Sequence, residues 1–107
     1  MDLRISKIVE FIDKNIEKGI TLKKAAYMAE LSPGHLSALF KKETGARLGK
    51  YLKEKRIERA RFLLTNLDLE IKNIVLSVGY KNIQNFYHDF KNAAGTTPRA
   101  YREKARS

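Results

Sequence analysis

At 107 residues the chain is long enough for one buried core but too short for two independent globular domains. Hydrophobic residues make up 43% and charged residues 32%, no apolar run approaches the roughly 20 residues that cross a bilayer, and there is no cysteine. That excludes a helical membrane span, a disulfide framework, a thiolate nucleophile and a zinc-finger ligand set. The 22 Lys and Arg against 12 Asp and Glu leave a net charge of +10, the balance of a protein that meets a polyanion. The excess lies after Leu22, because Arg4, Lys7, Lys14 and Lys18 are offset by Asp2, Glu10, Asp13 and Glu17.

In chain order the pattern is helical throughout, with apolar residues recurring at three and four. Ile5, Ile8, Val9, Ile12 and Ile16 form one stripe that predicts a first helix stopping at Gly19. Its start has neither the apolar core nor the cleavage site of a secretory signal, so a cytoplasmic protein is expected. Thr21 is placed to cap a second helix whose narrow face is Leu22, Ala25, Ala26 and Ala29. Ser32-Pro33 reads as a cap followed by a first-turn proline, opening a third helix to about Thr44 that buries Leu36, Leu39 and Phe40 and ends at Gly45. A long basic helix from about Leu48 to Asn66 follows, with Leu48, Tyr51, Leu52, Ile57, Ala60, Leu63 and Leu64 inward. Asp68 or a neighbour is expected to cap a fifth helix with Ile71, Ile74, Val75 and Val78, broken at Gly79. A sixth runs from about Asn82 to Ala94 over Phe86 and Phe90, and Thr97-Pro98 opens a short seventh whose last residues are expected to fray.

An internal repeat organises these helices. Leu36, Phe40, Lys41, Gly45 and Tyr51 recur as Phe86, Phe90, Lys91, Gly95 and Tyr101, each displaced by 50. Upstream the displacement is 49, pairing Leu22 with Ile71, Ala25 with Ile74, Ala26 with Val75 and Leu31 with Tyr80, so the second copy has one extra residue in its turn. Each copy is a short helix, a tight turn and a second helix with a polar or small outer face. This is the helix-turn-helix plan, which lays its second helix in the major groove of DNA. The expected architecture is all-α, with seven helices in one DNA-binding domain: a first unit at about residues 1–46, a connecting helix at 47–66 and a second unit at 67–107. The alternative is a basic helical RNA-binding or protein-interaction module, which would show no preference for a particular duplex.

The base-reading candidates lie on the outer faces of the third and sixth helices near their starts. In the first unit they are Gly34, Ser37 and Ala38, flanked by Pro33 and His35, a thin set of hydrogen-bonding groups. His35 itself reads as structural. In the second unit they are Gln84 and His88, joined by Asn85 and by Asn82 at the cap, with Tyr87 at the position matching Ser37. Gln and Asn can bond adenine bidentately and His can bond guanine, each good pair giving roughly 1–3 kcal/mol of discrimination. A base contact by His88 stands beside two rivals, a phosphate contact and an exposed side chain without a role. The second unit is therefore expected to supply more of the hydrogen-bonded readout. Phosphate candidates are Lys23, Lys24, Lys41, Lys42, Lys72, Asn73, Lys81 and Arg99. A connecting helix of about 18 residues at about 1.5 Å each spans roughly 27 Å, which sets two recognition helices within reach of adjacent major grooves about 34 Å apart. There is no Gly-rich phosphate loop and no catalytic triad or carboxylate pair, the two histidines lie far apart in sequence, and neither enzyme activity, metal nor cofactor is expected.

These residues resemble the DNA-binding domain of the AraC/XylS transcriptional regulators over nearly the whole chain. The second copy carries the most specific match: Ile71, Ile74, Val78-Gly79-Tyr80, then Phe86, Phe90-Lys91, Gly95, Pro98 and Tyr101-Arg102. The first copy fits through Ala26, Leu31-Ser32-Pro33, Leu36 and Phe40-Lys41, and the connecting helix through Arg56, Ala60 and Leu63-Leu64. One departure is Val75, where the family usually has alanine, which implies slightly looser or shifted packing in the second unit. The resemblance implies double-stranded DNA as partner, contacts with RNA polymerase, and a separate sensing or receiver domain outside this chain.

Overall fold

A computed structural model describes all 107 residues as seven α-helices without strands. They are α1 (Leu3–Lys14), α2 (Leu22–Ala29), α3 (Pro33–Thr44), α4 (Leu48–Asn66), α5 (Ile71–Ser77), α6 (Ile83–Ala94) and α7 (Pro98–Arg106). They form two compact units, Met1–Leu52 and Lys53–Ser107, and α4 begins in the first and ends in the second. No helix is long and apolar enough to cross a membrane.

The helix starts follow from side-chain caps, which satisfy amides that have no partner inside a helix. Thr21 accepts from the Lys24 amide at 3.0 Å, Ser32 from His35 at 3.2 Å, Asn82 from Asn85 at 3.0 Å and Thr97 from Ala100 at 3.2 Å. α3 and α6 both stop at glycines in the left-handed region, Gly45 at φ 86° and Gly95 at φ 77°.

The first core gathers Ile5, Ile8 and Ile12 of α1, the alanines of α2, Leu36 and Phe40 of α3, and Leu48 and Leu52 at the start of α4. The second gathers Ile57, Ala60, Leu63 and Leu64 of α4, Ile74 and Val75 of α5, Val78, and Phe86 and Phe90 of α6. One helix thus serves two cores in succession, which is why α4 shows no single apolar stripe.

Four sequence expectations need correction. α1 ends at Lys14, before Gly19, because the backbone amide of Asn15 caps it on the carbonyls of Phe11 and Ile12, and its side-chain amide also donates to Phe11. Ile16 still reaches the core from the following turn. Leu22 is 38% exposed, so the inner face of α2 is its three alanines. Asp68 does not cap α5. The cap position is Glu70, whose side chain makes no cap bond, and Asp68 instead holds Arg106 at 2.5 Å. That pair also corrects the frayed end, since Arg106 donates to the Leu67 carbonyl as well and α7 stays helical to Arg106.

Arg102 does work that its place in the sequence motif does not announce. Its guanidinium donates to the carbonyls of Leu64, Leu67 and Leu69 at 3.0, 3.1 and 2.7 Å. It thereby satisfies the open end of α4 and ties the loop before α5 to α7.

Candidate nucleic-acid interface

In each unit a short helix runs into a tight turn and then into the helix with the candidate reading face. The turns are built alike. The Leu31 amide donates to the Ala26 carbonyl at 3.0 Å, and 49 residues on the Tyr80 amide donates to the Val75 carbonyl at 3.1 Å. Val75 is buried at 2% exposure, and this turn bond is kept beside the valine. Lys81 is the extra residue that changes the displacement from 49 to 50, and it is exposed.

The second helix of each unit is seated by aromatics. Phe40 of α3 meets Tyr51 of α4 edge to face, and Phe90 of α6 meets Tyr101 of α7 in the same way. In the second unit Tyr80 also packs edge-on against Phe86, and its hydroxyl donates to Asp89 at 2.7 Å. Burial first, and then this bond to a carboxylate, push the Tyr80 phenol above its ordinary value of 10.0. The Arg56 guanidinium lies over the same ring at 5.8 Å. α6 is thus pinned from its inner side, and its outer side is left to solvent.

On that outer side Gln84, Asn85 and His88 are all exposed, as is Asn82, whose side-chain oxygen is occupied by the cap while its amide group remains a donor. His88 Nε2 and Asn92 Nδ2 lie 3.2 Å apart, so Asn92 orients the imidazole. Asn92 is not among the residues singled out by sequence, although the 50-residue displacement matches it to Lys42. Tyr87 is 42% exposed and lines a recess with Thr97, Pro98 and Arg99.

On α3, Gly34 and Ala38 are exposed and Ser37 is half-buried. They line an open recess together with Lys41, Lys42 and Arg47, the last of which is not a sequence candidate. A Cβ built on Gly34 would meet nothing within 4 Å, so the protein itself does not require glycine there. The His35 side chain is exposed and belongs to neither core.

The cationic candidates differ in what already engages them. Lys24 reaches over the Phe11 ring at 5.0 Å, and Lys72 lies 3.7 Å from Glu70 in a pair exposed to solvent. Lys23, Lys41, Lys42, Asn73, Lys81 and Arg99 are exposed. No three His, Cys, Asp or Glu side chains are grouped so as to hold a metal ion.

Known proteins share this arrangement. A helix-turn-helix domain family matches residues 25–104. The HTH-type transcriptional regulator YtdP of Bacillus subtilis is 36% identical over 94% of this chain, which corresponds to 13% of YtdP. The C-terminal domain of AraT, a response regulator from Geobacillus stearothermophilus, superposes with a TM-score of 0.92 at 30% identity, covering 99% of this chain and 88% of that domain. A Chromobacterium violaceum transcriptional regulator described as an AraC-type DNA-binding domain protein gives 0.85 at 30% identity, covering 95% of this chain and 91% of its own. The chain spans well under two thirds of the length of curated relatives such as YtdP. With two like helix-turn-helix units and these relatives, the chain belongs to the AraC/XylS family of transcriptional regulators, as its DNA-binding domain.

Proposed function

We propose that this chain reads an asymmetric duplex DNA site, with α3 and α6 each entering a major groove, and that α6 supplies most of the hydrogen-bonded base discrimination. The observation that carries the reading is the outer face of α6, where Gln84, Asn85 and His88 stand exposed at the start of a helix whose inner face is pinned. Gln and Asn present the paired donor and acceptor that adenine matches, and His88, oriented by Asn92, presents a ring nitrogen to guanine. α3 contributes shape fit, a thymine-methyl contact from Ala38 and close backbone approach at Gly34. The phosphate contacts fall to Lys23, Lys41, Lys42, Lys81, Asn73 and Arg99, with Lys24 and Lys72 adding charge from their engaged positions. The copies are joined head to tail and differ on their reading faces, so the site lacks two-fold symmetry.

The protein works as a non-enzymatic cytoplasmic regulator that contacts RNA polymerase and takes its signal from a sensing or receiver domain. AraT, described as a response regulator, supports a receiver. Selection of bound sites from random duplexes tests the reading of DNA. An asymmetric preferred site is expected, and Gln84→Ala with His88→Ala should relax preference at a few bases. A palindromic site, stronger changes from Ser37→Ala and Ala38→Gly, or equal binding to any duplex or RNA would overturn it.

A further inference from the structure

The repeat shows where the first unit departs most from the second. At the residue that caps the helix after the recognition helix, the second unit has Thr97, whose hydroxyl accepts from the Ala100 amide at 3.2 Å. Fifty residues earlier the same place is Arg47, whose carbonyl accepts the Tyr51 amide but whose side chain cannot accept a capping bond. A favourable cap has been given up for a long cation. The exchange is reciprocal on the neighbouring helix, since Gln84, Tyr87 and His88 on α6 are matched by Gly34, Ser37 and Ala38 on α3. Where the reading helix is full, the cap residue is small, and where the helix is bare, the cap residue is an arginine.

The surroundings of Arg47 fit that exchange. It is exposed and lines the open recess over Gly34, Ser37, Ala38, Lys41 and Lys42. Arg61, Arg102 and Arg106 spend their guanidinium groups on backbone carbonyls, but that of Arg47 makes no hydrogen bond or ion pair within the protein. The empty space beside Gly34 leaves room along α3 for the side chain and a base edge together.

We infer that Arg47 is the base-reading residue of the first unit, extending across the bare face of α3 to a guanine in the major groove. Its planar fork matches the two acceptors, O6 and N7, that guanine alone presents there. This rests on the reading of α3 as a groove-entering helix, and it moves the first unit from shape fit to direct readout.

Site selection with the full chain tests it through three proteins: wild type, Arg47→Lys and Arg47→Thr. Arg47→Lys keeps the charge and loses the fork, whereas Arg47→Thr restores the cap that Thr97 provides in the other unit and so guards against misfolding. Wild type should select a guanine that Arg47→Thr loses, with preference at that one base pair falling roughly tenfold, and Arg47→Lys, with a point charge in place of the fork, should keep less of it than wild type. Preferences that depend on Gln84 and His88 should stay unchanged. If Arg47→Thr keeps the guanine, or weakens all duplexes equally with a shallower salt dependence, Arg47 does not read that base and the inference is wrong. If wild type selects no sequence at all, the groove reading itself fails, a result distinct from either.

Discussion

Phe40 and Tyr51 meet edge to face with ring centroids 5.3 Å apart at 87°, and Phe90 and Tyr101 repeat the contact 50 residues later at 5.4 Å and 84°. In both units the pair joins the second helix of the helix-turn-helix to the helix that follows, and so helps to hold the two at a fixed angle. Edge-to-face pairs contribute about 0.5–1.5 kcal/mol beyond the area they bury. Tyr101→Ala should therefore cost about 2–3 kcal/mol, below the range for a fully buried aromatic because Tyr101 is only partly covered. Tyr101→Phe, which keeps the ring contact, should cost under about 0.5 kcal/mol. Urea unfolding of the two variants checks both values, and a large loss with phenylalanine would mean that the hydroxyl matters more than the ring.

The two turns share a bond pattern but not a residue. Glu30 sits at φ 56°, a left-handed conformation that costs a side-chain-bearing residue about 1–2 kcal/mol, and the matching position in the second unit is Gly79 at φ 100°. Substitution to glycine in the first turn and away from glycine in the second should give opposite signs. Glu30→Gly should stabilise the fold by about 0.5–1 kcal/mol, the relieved strain being partly offset by glycine's greater freedom when unfolded. Gly79→Ala should destabilise by about 1–2 kcal/mol. Thermal unfolding reads both, and a loss of stability in Glu30→Gly would show that the glutamate makes a compensating contact in the turn.

The helix boundaries and the repeat were legible because they are written in local chemistry: Thr21, Ser32, Asn82 and Thr97 as caps, Gly45 and Gly95 as stops, and phenylalanines at helical spacing. The errors at Asp68 and at the end of α7 fell where a tertiary partner decides. Asp68 looks like a helix cap in sequence, yet an arginine 38 residues away claims it. Arg102 appeared only as part of a motif, because the three carbonyls it collects come from the end of α4 and an irregular loop, which carry no pattern. Arg47 was hidden among other basic residues. Extending the 50-residue displacement two places beyond Gly45 would have set it against Thr97 and exposed the missing cap.

Tyr80 should make stability depend on alkaline pH. Burial and the bond to Asp89 raise its folded value above 10.0. Well below pH 10 both folded and unfolded chains hold the phenolic proton, so this group adds no pH dependence there. As pH rises past 10 the unfolded chain releases the proton while the folded one keeps it, and the stabilisation is progressively lost. Tyr80→Phe removes the hydrogen bond, at a cost of about 1 kcal/mol at neutral pH, but also removes this titration. The stability gap between wild type and Tyr80→Phe should therefore narrow between pH 9 and roughly pH 11. Denaturant midpoints measured across that range decide it, and a constant gap would mean that Tyr80 ionises in the folded protein at its ordinary value.

Gly34 separates folding from DNA reading at a single position. It lies in the first turn of α3, where glycine is worse than alanine by up to about 0.5–1 kcal/mol. An added Cβ would meet no protein atom within 4 Å, so Gly34→Ala should fold without strain and raise the midpoint of thermal unfolding. The fold does not require glycine there, and under the proposed reading of α3 its backbone lies against a groove wall, where an added methyl group would intrude. The same variant should thus bind the selected duplex several-fold more weakly while its affinity for unrelated duplexes, set by charge, changes little. Equal or tighter specific binding by the more stable variant would place the DNA further from α3, and would leave Arg47, with its longer reach, as the part of the first unit that touches bases.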